Sequence, residues 1–419
     1  MKRIYSLALL MSLQTVLVGC VDGSREADSD DESPVESGGD DGQEFDVTGL
    51  LSNLAENVFI PNYQELSETM SEFGGVGGSL ERYCSGIGES DEAASKAEAQ
   101  DGWRAAMDSV QKTEMHVLGP AQQNGNALRN RILSYSSGSL STCGVDEIAV
   151  LANEPEFDIS TRATNQRGMG AVGYLLFRDE LSHSCPPQVP TTVSWNALSE
   201  TAKSRSRCAA AQVIASDVSA AVDQIVDQWD AAGGDYRSEF VSDANAGNNL
   251  QFVTDAIFYL DTGVKDQKLG IPLGINDACS GYSCPDQVES QYSRNSLRNL
   301  QKNIESFRKI FRGGEGIGFD DLITGEGFDD VSLRFIDNST AAIEAIDAIS
   351  VPVYEQAASI NSQERGTQCT NAYANVDLAD ELSACGLYGL IKALTDDLKI
   401  DFVTIVNVNL PEGAQADND

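Results

Sequence analysis

Histidine is almost absent: His116 and His183 are the only two in 419 residues. The chain has no H-E-x-x-H for a zinc protease and no G-x-S-x-G for a serine hydrolase. No C-x-x-C occurs, which weakens the case for a zinc or dithiol site. Basic residues are scarce as well. Lys and Arg number 28 against 65 Asp and Glu, a formal net charge of −37. Such a surface repels phosphate backbones and anionic lipid, which argues against nucleic acid as a partner and keeps the protein dispersed. After the N-terminus no stretch is long and apolar enough to be a membrane helix. No convincing run of alternating apolar and polar residues reads as a strand. Acidic side chains are so common that a carboxylate-pair hydrolase is neither favoured nor excluded by them.

What is present begins with an export signal. Lys2 and Arg3 form a basic start, and Ile4 to Leu13 is mostly apolar but too short to span a bilayer. The segment ends in Leu17-Val18-Gly19-Cys20, which resembles the bacterial lipobox. That resemblance implies a lipoprotein signal peptide over 1–19, cleavage before Cys20 and a lipid on its thiol; an ordinary signal peptide with an incidental cysteine is the other reading. Val21, rather than Asp, follows Cys20, which by the sorting rule of that route implies the outer membrane, facing the periplasm of a Gram-negative envelope. The membrane is then a partner through the anchor. Residues 20–46 hold almost nothing apolar, so they cannot offset the entropy of ordering and read as an acidic disordered tether. Its Asp28-Ser29-Asp30-Asp31-Glu32 run reads as a solvated spacer ahead of a loose calcium site.

Eight cysteines remain after Cys20: Cys84, Cys143, Cys185, Cys208, Cys279, Cys284, Cys369 and Cys385. An even number in an oxidising compartment reads as disulfides. Pairing neighbours in sequence predicts Cys84–Cys143, Cys185–Cys208, Cys279–Cys284 and Cys369–Cys385, one of 105 possible connectivities.

From Val47 the pattern is helical. Leu50, Leu54 and Val58 mark one helix, and Pro61 sits in the first turn of the next, which carries Leu66, Met70 and Phe73. A glycine-rich break follows at Gly74–Gly78. Trp103, Met107, Val110 and Val117 mark a third stripe that Gly119 and Pro120 should terminate. Ile214, Val218, Ala221, Ile225 and Trp229 form a long stripe, and Val253, Ile257, Leu260 and Val264 the next. Leu297, Leu300, Ile304, Phe307 and Phe311 give an amphipathic helix closed by Gly313 and Gly314. Ala342, Ile346 and Ile349 continue the pattern, and a last helix runs from Leu387 to about Phe402. The periodicities alone predict an all-α protein.

The stretch on which function turns is Gly168-Met169-Gly170-Ala171-Val172-Gly173, followed by Tyr174-Leu175-Leu176-Phe177. Taken alone it is a G-x-G-x-x-G. A dinucleotide fold needs a buried strand before the glycines, and Asp158–Arg167 is too polar for one. The stretch instead resembles the G-x-H-x-x-E motif of the imelysin (peptidase M75) family, with Gly170 where the family has His and Gly173 where it has Glu. Other segments are similar to that family in the same order: Glu114 to Gly119-Pro120, Lys268-Leu269-Gly270-Ile271-Pro272-Leu273-Gly274, and Glu289-Ser290-Gln291-Tyr292-Ser293. The resemblance covers residues 47–419 and implies one helical domain of two bundle-like halves, with the site in a groove between packed helices.

The resemblance also implies a divalent metal or iron at that site, and peptidase chemistry. Glycine has no side chain, so Gly170 and Gly173 cannot ligate, and a divalent metal or iron is implied by family analogy alone. Glu114 is either a leftover ligand or a helix-end carboxylate. His116, two residues away, does not share its helix face and reads as structural or surface, as does His183 beside Cys185. The expected function is a non-catalytic binding lipoprotein near iron uptake, recognising a periplasmic ligand or protein partner; a metallopeptidase and a structural envelope protein are the alternatives. The two glycines leave two states for the groove: packed shut by a neighbouring helix, or widened for a different ligand.

Overall fold

The computed structural model describes residues 45–135, 138–379 and 381–415. The export signal, Cys20, the tether and the acidic end at Asp417–Asp419 lie outside the described residues. Every regular element among the described residues is helical, as the periodicity predicts. None of those helices is long and apolar enough to cross a membrane.

The first helix is less interrupted than Pro61 suggests. Val47–Leu54 passes through a π-helical turn, Ala55–Phe59, straight into Ile60–Gly74. Proline offers no N–H to the preceding turn, and the wider turn absorbs that loss without breaking the rod. Leu50, Leu54, Val58, Leu66, Met70 and Phe73 are all fully buried. The chain breaks at Gly75, which is extended, and helix resumes at Ser79–Ser85. The third stripe ends earlier than the glycine signal implies: the helix is Glu92–Glu114, and Met115 to Leu118 lead out of it before Gly119. Val117 therefore lies past the helix end.

The helices fall into two groups. In the first, Ile60–Gly74 packs on Glu92–Glu114 and on the 30-residue helix Glu200–Trp229. Met169–Phe177 and Thr142–Leu151 lie against the same long helix. Its N-terminus is capped by the Ser199 hydroxyl, which accepts the Ala202 N–H at 3.2 Å. The second group is built on Ser383–Asp397, which contacts Asp329–Ala348, Gln363–Ala374 and a long π-helical segment, Leu260–Gly270. The groups meet where Ser296–Phe311 packs on Glu92–Glu114. They share one continuous apolar core. The predicted glycine stop holds here: Gly313 and Gly314 have φ of 63° and 69°, and Asn53 of the first helix donates to the Gly313 and Ile317 carbonyls at 2.7 and 2.8 Å.

All eight described cysteines are paired, but two of the four predicted bonds are corrected. The bonds are Cys84–Cys208 and Cys143–Cys185, not Cys84–Cys143 and Cys185–Cys208. Cys84 lies on Ser79–Ser85, which packs across the long Glu200–Trp229 helix and so meets Cys208. Cys143 opens a different helix, Thr142–Leu151, beside the loop that carries Cys185. Cys279–Cys284 and Cys369–Cys385 form as predicted.

Candidate functional site

The degenerate motif is helical from Met169 to Phe177, with Gly168 at its N-cap in a left-handed conformation, φ 83°. Two 3₁₀ turns precede it, Ile159–Thr161 and Thr164–Gln166. With no strand there, a dinucleotide reading has no structural basis. The helix start is tied down from outside: Ser134 Oγ accepts the Ala171 N–H at 3.0 Å and donates to the Arg167 carbonyl at 2.6 Å.

Gly170 and Gly173 are packed shut. A Cβ at Gly170 would stand 2.6 Å from the Tyr135 ring and 2.8 Å from Ser134, and one at Gly173 would stand 2.7 Å from the Trp103 indole. Trp103 is fixed there by its own Nε1–H, which donates to the Met169 carbonyl at 2.9 Å. The space that two polar side chains would need is filled by an indole and a phenol, so of the two states left open by the sequence, the closed one is observed.

Polar groups converge at the junction of the two helix groups, on the same Glu92–Glu114 helix that carries Trp103. Gln111 and Glu114 lie three residues apart on the end of one helix, and Asn299 and Asn303 four apart on the facing one, spacings that put each pair on a single face. All four are at most 4% exposed. Lys268 enters from the π-helical segment and Glu289 from the turn before Ser296–Phe311. The Lys268 ammonium donates to Gln111 Oε1 at 2.5 Å, to Asn303 Oδ1 at 2.8 Å and to Glu114 Oε2. Glu289 Oε2 forms an ion pair with the same nitrogen at 3.0 Å. The carboxamides close the ring: Asn303 Nδ2 donates to Glu114 Oε2 at 3.1 Å, and Gln111 Nε2 to Glu289 Oε1 at 3.1 Å.

The two carboxylates titrate apart. Burial works against the Glu114 anion, but Lys268 and then Arg129 outweigh it and hold its pKa below the ordinary glutamate value. For Glu289 burial wins over Lys268, the Glu114 charge adds to it, and its pKa is raised. One ammonium thus serves one full carboxylate, with the second biased toward its neutral form.

Above the cluster opens a cavity of about 190 Å³, lined by Glu114, Arg129, Tyr135, Tyr259, Lys268 and Glu289 among others. Arg129 lies over the Tyr259 ring at 5.1 Å, and its Nε is buried without a hydrogen bond. The Tyr135 phenol oxygen accepts the Ser290 N–H at 3.1 Å, which leaves its own proton free to donate.

Glu114 lies in this cluster, at the end of its helix and paired with Lys268. His116 does not. The helix ends at Glu114, and the chain turns the imidazole toward Asn62, whose amide nitrogen lies 2.9 Å from Nε2. His183 is half-buried in the loop beside the Cys143–Cys185 bond. Gln111, Asn299, Asn303 and Arg129 were missed from sequence. The available signal was polar residues at helical spacing inside otherwise apolar faces, such as Asn299 and Asn303 flanking Leu300 and Ile304.

These residues do not fit a resident metal. The motif's two donor positions have no side chains and no room for any, and the oxygens of the remaining carboxylates face an ammonium. Among the described residues no three His, Cys, Asp or Glu side chains are grouped to hold a metal ion.

The Imelysin profile of the peptidase M75 family matches residues 60–382. Iron-regulated protein A of Synechococcus elongatus is 22% identical over 279 residues, a match that spans 64% of this chain and 65% of that protein, just under two thirds of its length. The fold is similar to the crystal structure of an imelysin-like protein from Psychrobacter arcticum, with a TM-score of 0.62 at 12% identity, covering 87% of this chain and 96% of that one. A crystal structure from Parabacteroides distasonis gives 0.54 at 16% identity, covering 82% and 94%.

Proposed function

The chain belongs to the imelysin (peptidase M75) family, and from that premise we propose that it is a non-catalytic binding protein of iron acquisition, exported and held at the outer membrane by a lipid on Cys20. The observation that carries the non-catalytic reading is the plugging of Gly170 and Gly173 by Tyr135, Ser134 and Trp103. A metallopeptidase activates water on a metal held by side chains placed for it, and this groove offers neither the donors nor the space. What remains is a concave, partly polar pocket with Arg129, Tyr135 and Tyr259 in its lining, a form suited to holding a small ligand.

Export is supported by four disulfides, which persist in oxidising compartments. The iron connection rests on the family and on the name of the Synechococcus relative. The lipid anchor rests on the lipobox-like Leu17–Cys20.

The test is a deletion strain grown with and without iron limitation. The expected result is a growth deficit confined to low iron, rescued by the intact chain and not by an Arg129→Glu variant. Equal growth at both iron levels, with a leaky envelope, would point to a structural lipoprotein instead. Peptide cleavage by the purified chain that a chelator abolishes would restore the metallopeptidase reading.

A further inference from the structure

Four oxygens surround one nitrogen at the helix junction. Gln111 Oε1, Asn303 Oδ1 and Glu289 Oε2 lie 2.5, 2.8 and 3.0 Å from Lys268 Nζ, and Glu114 Oε2 completes the set. The donors are two carboxylates and two carboxamides, from two facing helices and a turn. An all-oxygen set of this kind is what a hard divalent cation takes from a protein. The cage is nearly dry, since Gln111 and Asn303 are fully buried and Glu114, Lys268 and Glu289 are at most 6% exposed. Glu289 Oε2 is buried and aimed into the cage, with the Lys268 ammonium as its partner.

We propose that the Lys268 ammonium is the resident cation of an oxygen cage made by Gln111, Glu114, Glu289 and Asn303, and that it keeps divalent metal ions out of this site. This deepens the non-catalytic reading of the same groove and rests on it. The positive charge that the cage requires is supplied covalently, so the site is complete without metal. Lys268 is buried in the π-helical Leu260–Gly270 segment, and its ammonium meets both carboxylates. Lys265, one turn earlier, points to a separate buried acid, Asp261, at 3.0 Å, so the two lysines neutralise different carboxylates.

The experiment is manganese titration of the purified full-length chain, followed by the electron paramagnetic resonance of free Mn²⁺. The wild type should bind no Mn²⁺ that depends on Glu114; loose binding to the acidic surface is unaffected by Glu114→Gln. Lys268→Met, which keeps the stem and removes the charge, should bind one equivalent at least 100-fold more tightly than the wild type, and Glu114→Gln in that background should abolish it. Removing the ammonium leaves Arg129 as the remaining counter-charge beside Glu114 and Glu289 without its ion pair, so Lys268→Met by itself could fail to fold. In that case Mn²⁺ should restore cooperative unfolding, while Lys268→Met/Glu114→Gln/Glu289→Gln should fold without metal. One equivalent of Mn²⁺ in the wild type, lost with Glu114→Gln, would overturn the proposal. So would a Lys268→Met chain that folds and binds no better than the wild type, or one that Mn²⁺ does not rescue. None of these outcomes depends on the iron-limited growth test, so the two readings fail separately.

Discussion

His116 is completely buried, with its ring edge-on to Phe59 at 4.9 Å and to Tyr63 at 5.7 Å. Asn62 fixes its tautomer. The Asn62 carbonyl oxygen takes the Lys309 ammonium at 2.9 Å, so the amide nitrogen faces Nε2, which must accept. The ring proton is left on Nδ1, which has no partner. Burial first, and the Lys309 charge second, push the pKa down to about 3. The unfolded chain, with an ordinary imidazole near pH 6.5, binds the proton first as pH falls. Stability contributed by this residue is therefore full above about pH 6.5 and lost progressively toward pH 3, at no more than about 1.4 kcal/mol per pH unit. Urea midpoints should fall between pH 7 and pH 5, before most carboxylates titrate. In His116→Gln the decline over that interval should flatten. An unchanged slope would mean the imidazole is not what the folded state keeps neutral.

At the scale of the element, the Met169–Phe177 helix shows why a motif can keep its fold signal after losing its chemistry. Gly173 lets the Trp103 indole lie directly on the helix backbone, and eight of the nine residues of the helix are buried. Alanine is the better helix former by about 1 kcal/mol, yet its Cβ would stand 2.7 Å from the indole. Overpacking of that kind costs about 1–3 kcal/mol, so Gly173→Ala should destabilise. Gly366, within the Gln363–Ala374 helix, has open space around it, and Gly366→Ala should stabilise by about 0.5–1 kcal/mol. Opposite signs in thermal melts would locate the effect in the Trp103 contact; stabilisation by both would mean the indole moves aside freely.

The helices themselves were legible, because apolar stripes such as Ile214–Trp229 and Leu297–Phe311 are set by burial alone. Their joints were less so. Three π-helical stretches among the described residues, Ala55–Phe59, Leu260–Gly270 and Leu398–Phe402, occur inside patterns that read as ordinary helix, since buried apolar residues still recur every four or five positions, as at Leu260, Val264 and Leu269. The helix end at Glu114 was missed because the Gly119-Pro120 stop signal lies five residues beyond it. The site was only partly legible for a related reason. Glu114 could be named from its position in a family motif, but the partner it faces, Lys268, is more than 150 residues away, and nothing local to either residue announces the pair.

Across the whole molecule the covalent frame follows the same logic. Sequence neighbours made poor partners for Cys84 and Cys143, since the helix carrying Cys84 packs across the 30-residue Glu200–Trp229 helix, where it meets Cys208. That bond spans 124 residues, whereas Cys279–Cys284 spans five. A cross-link stabilises chiefly by restricting the unfolded chain, and the restriction grows with the logarithm of the loop. The chain-entropy relation gives at most about 5 kcal/mol for the long bond and about 2 kcal/mol for the short one. Cys84→Ala/Cys208→Ala should therefore lower the urea midpoint well beyond Cys279→Ala/Cys284→Ala, with the steepness of the transition decreased for the intact bond and increased for the variant, because a longer free chain exposes more surface. Equal losses from the two pairs would show that local packing around the sulfurs, rather than loop closure, sets their contribution. A larger loss from the short pair would place the stabilisation in the Gly274–Pro285 turn, where the Cys284 N–H donates to the Pro272 carbonyl at 2.9 Å and holds the loop that follows Lys268.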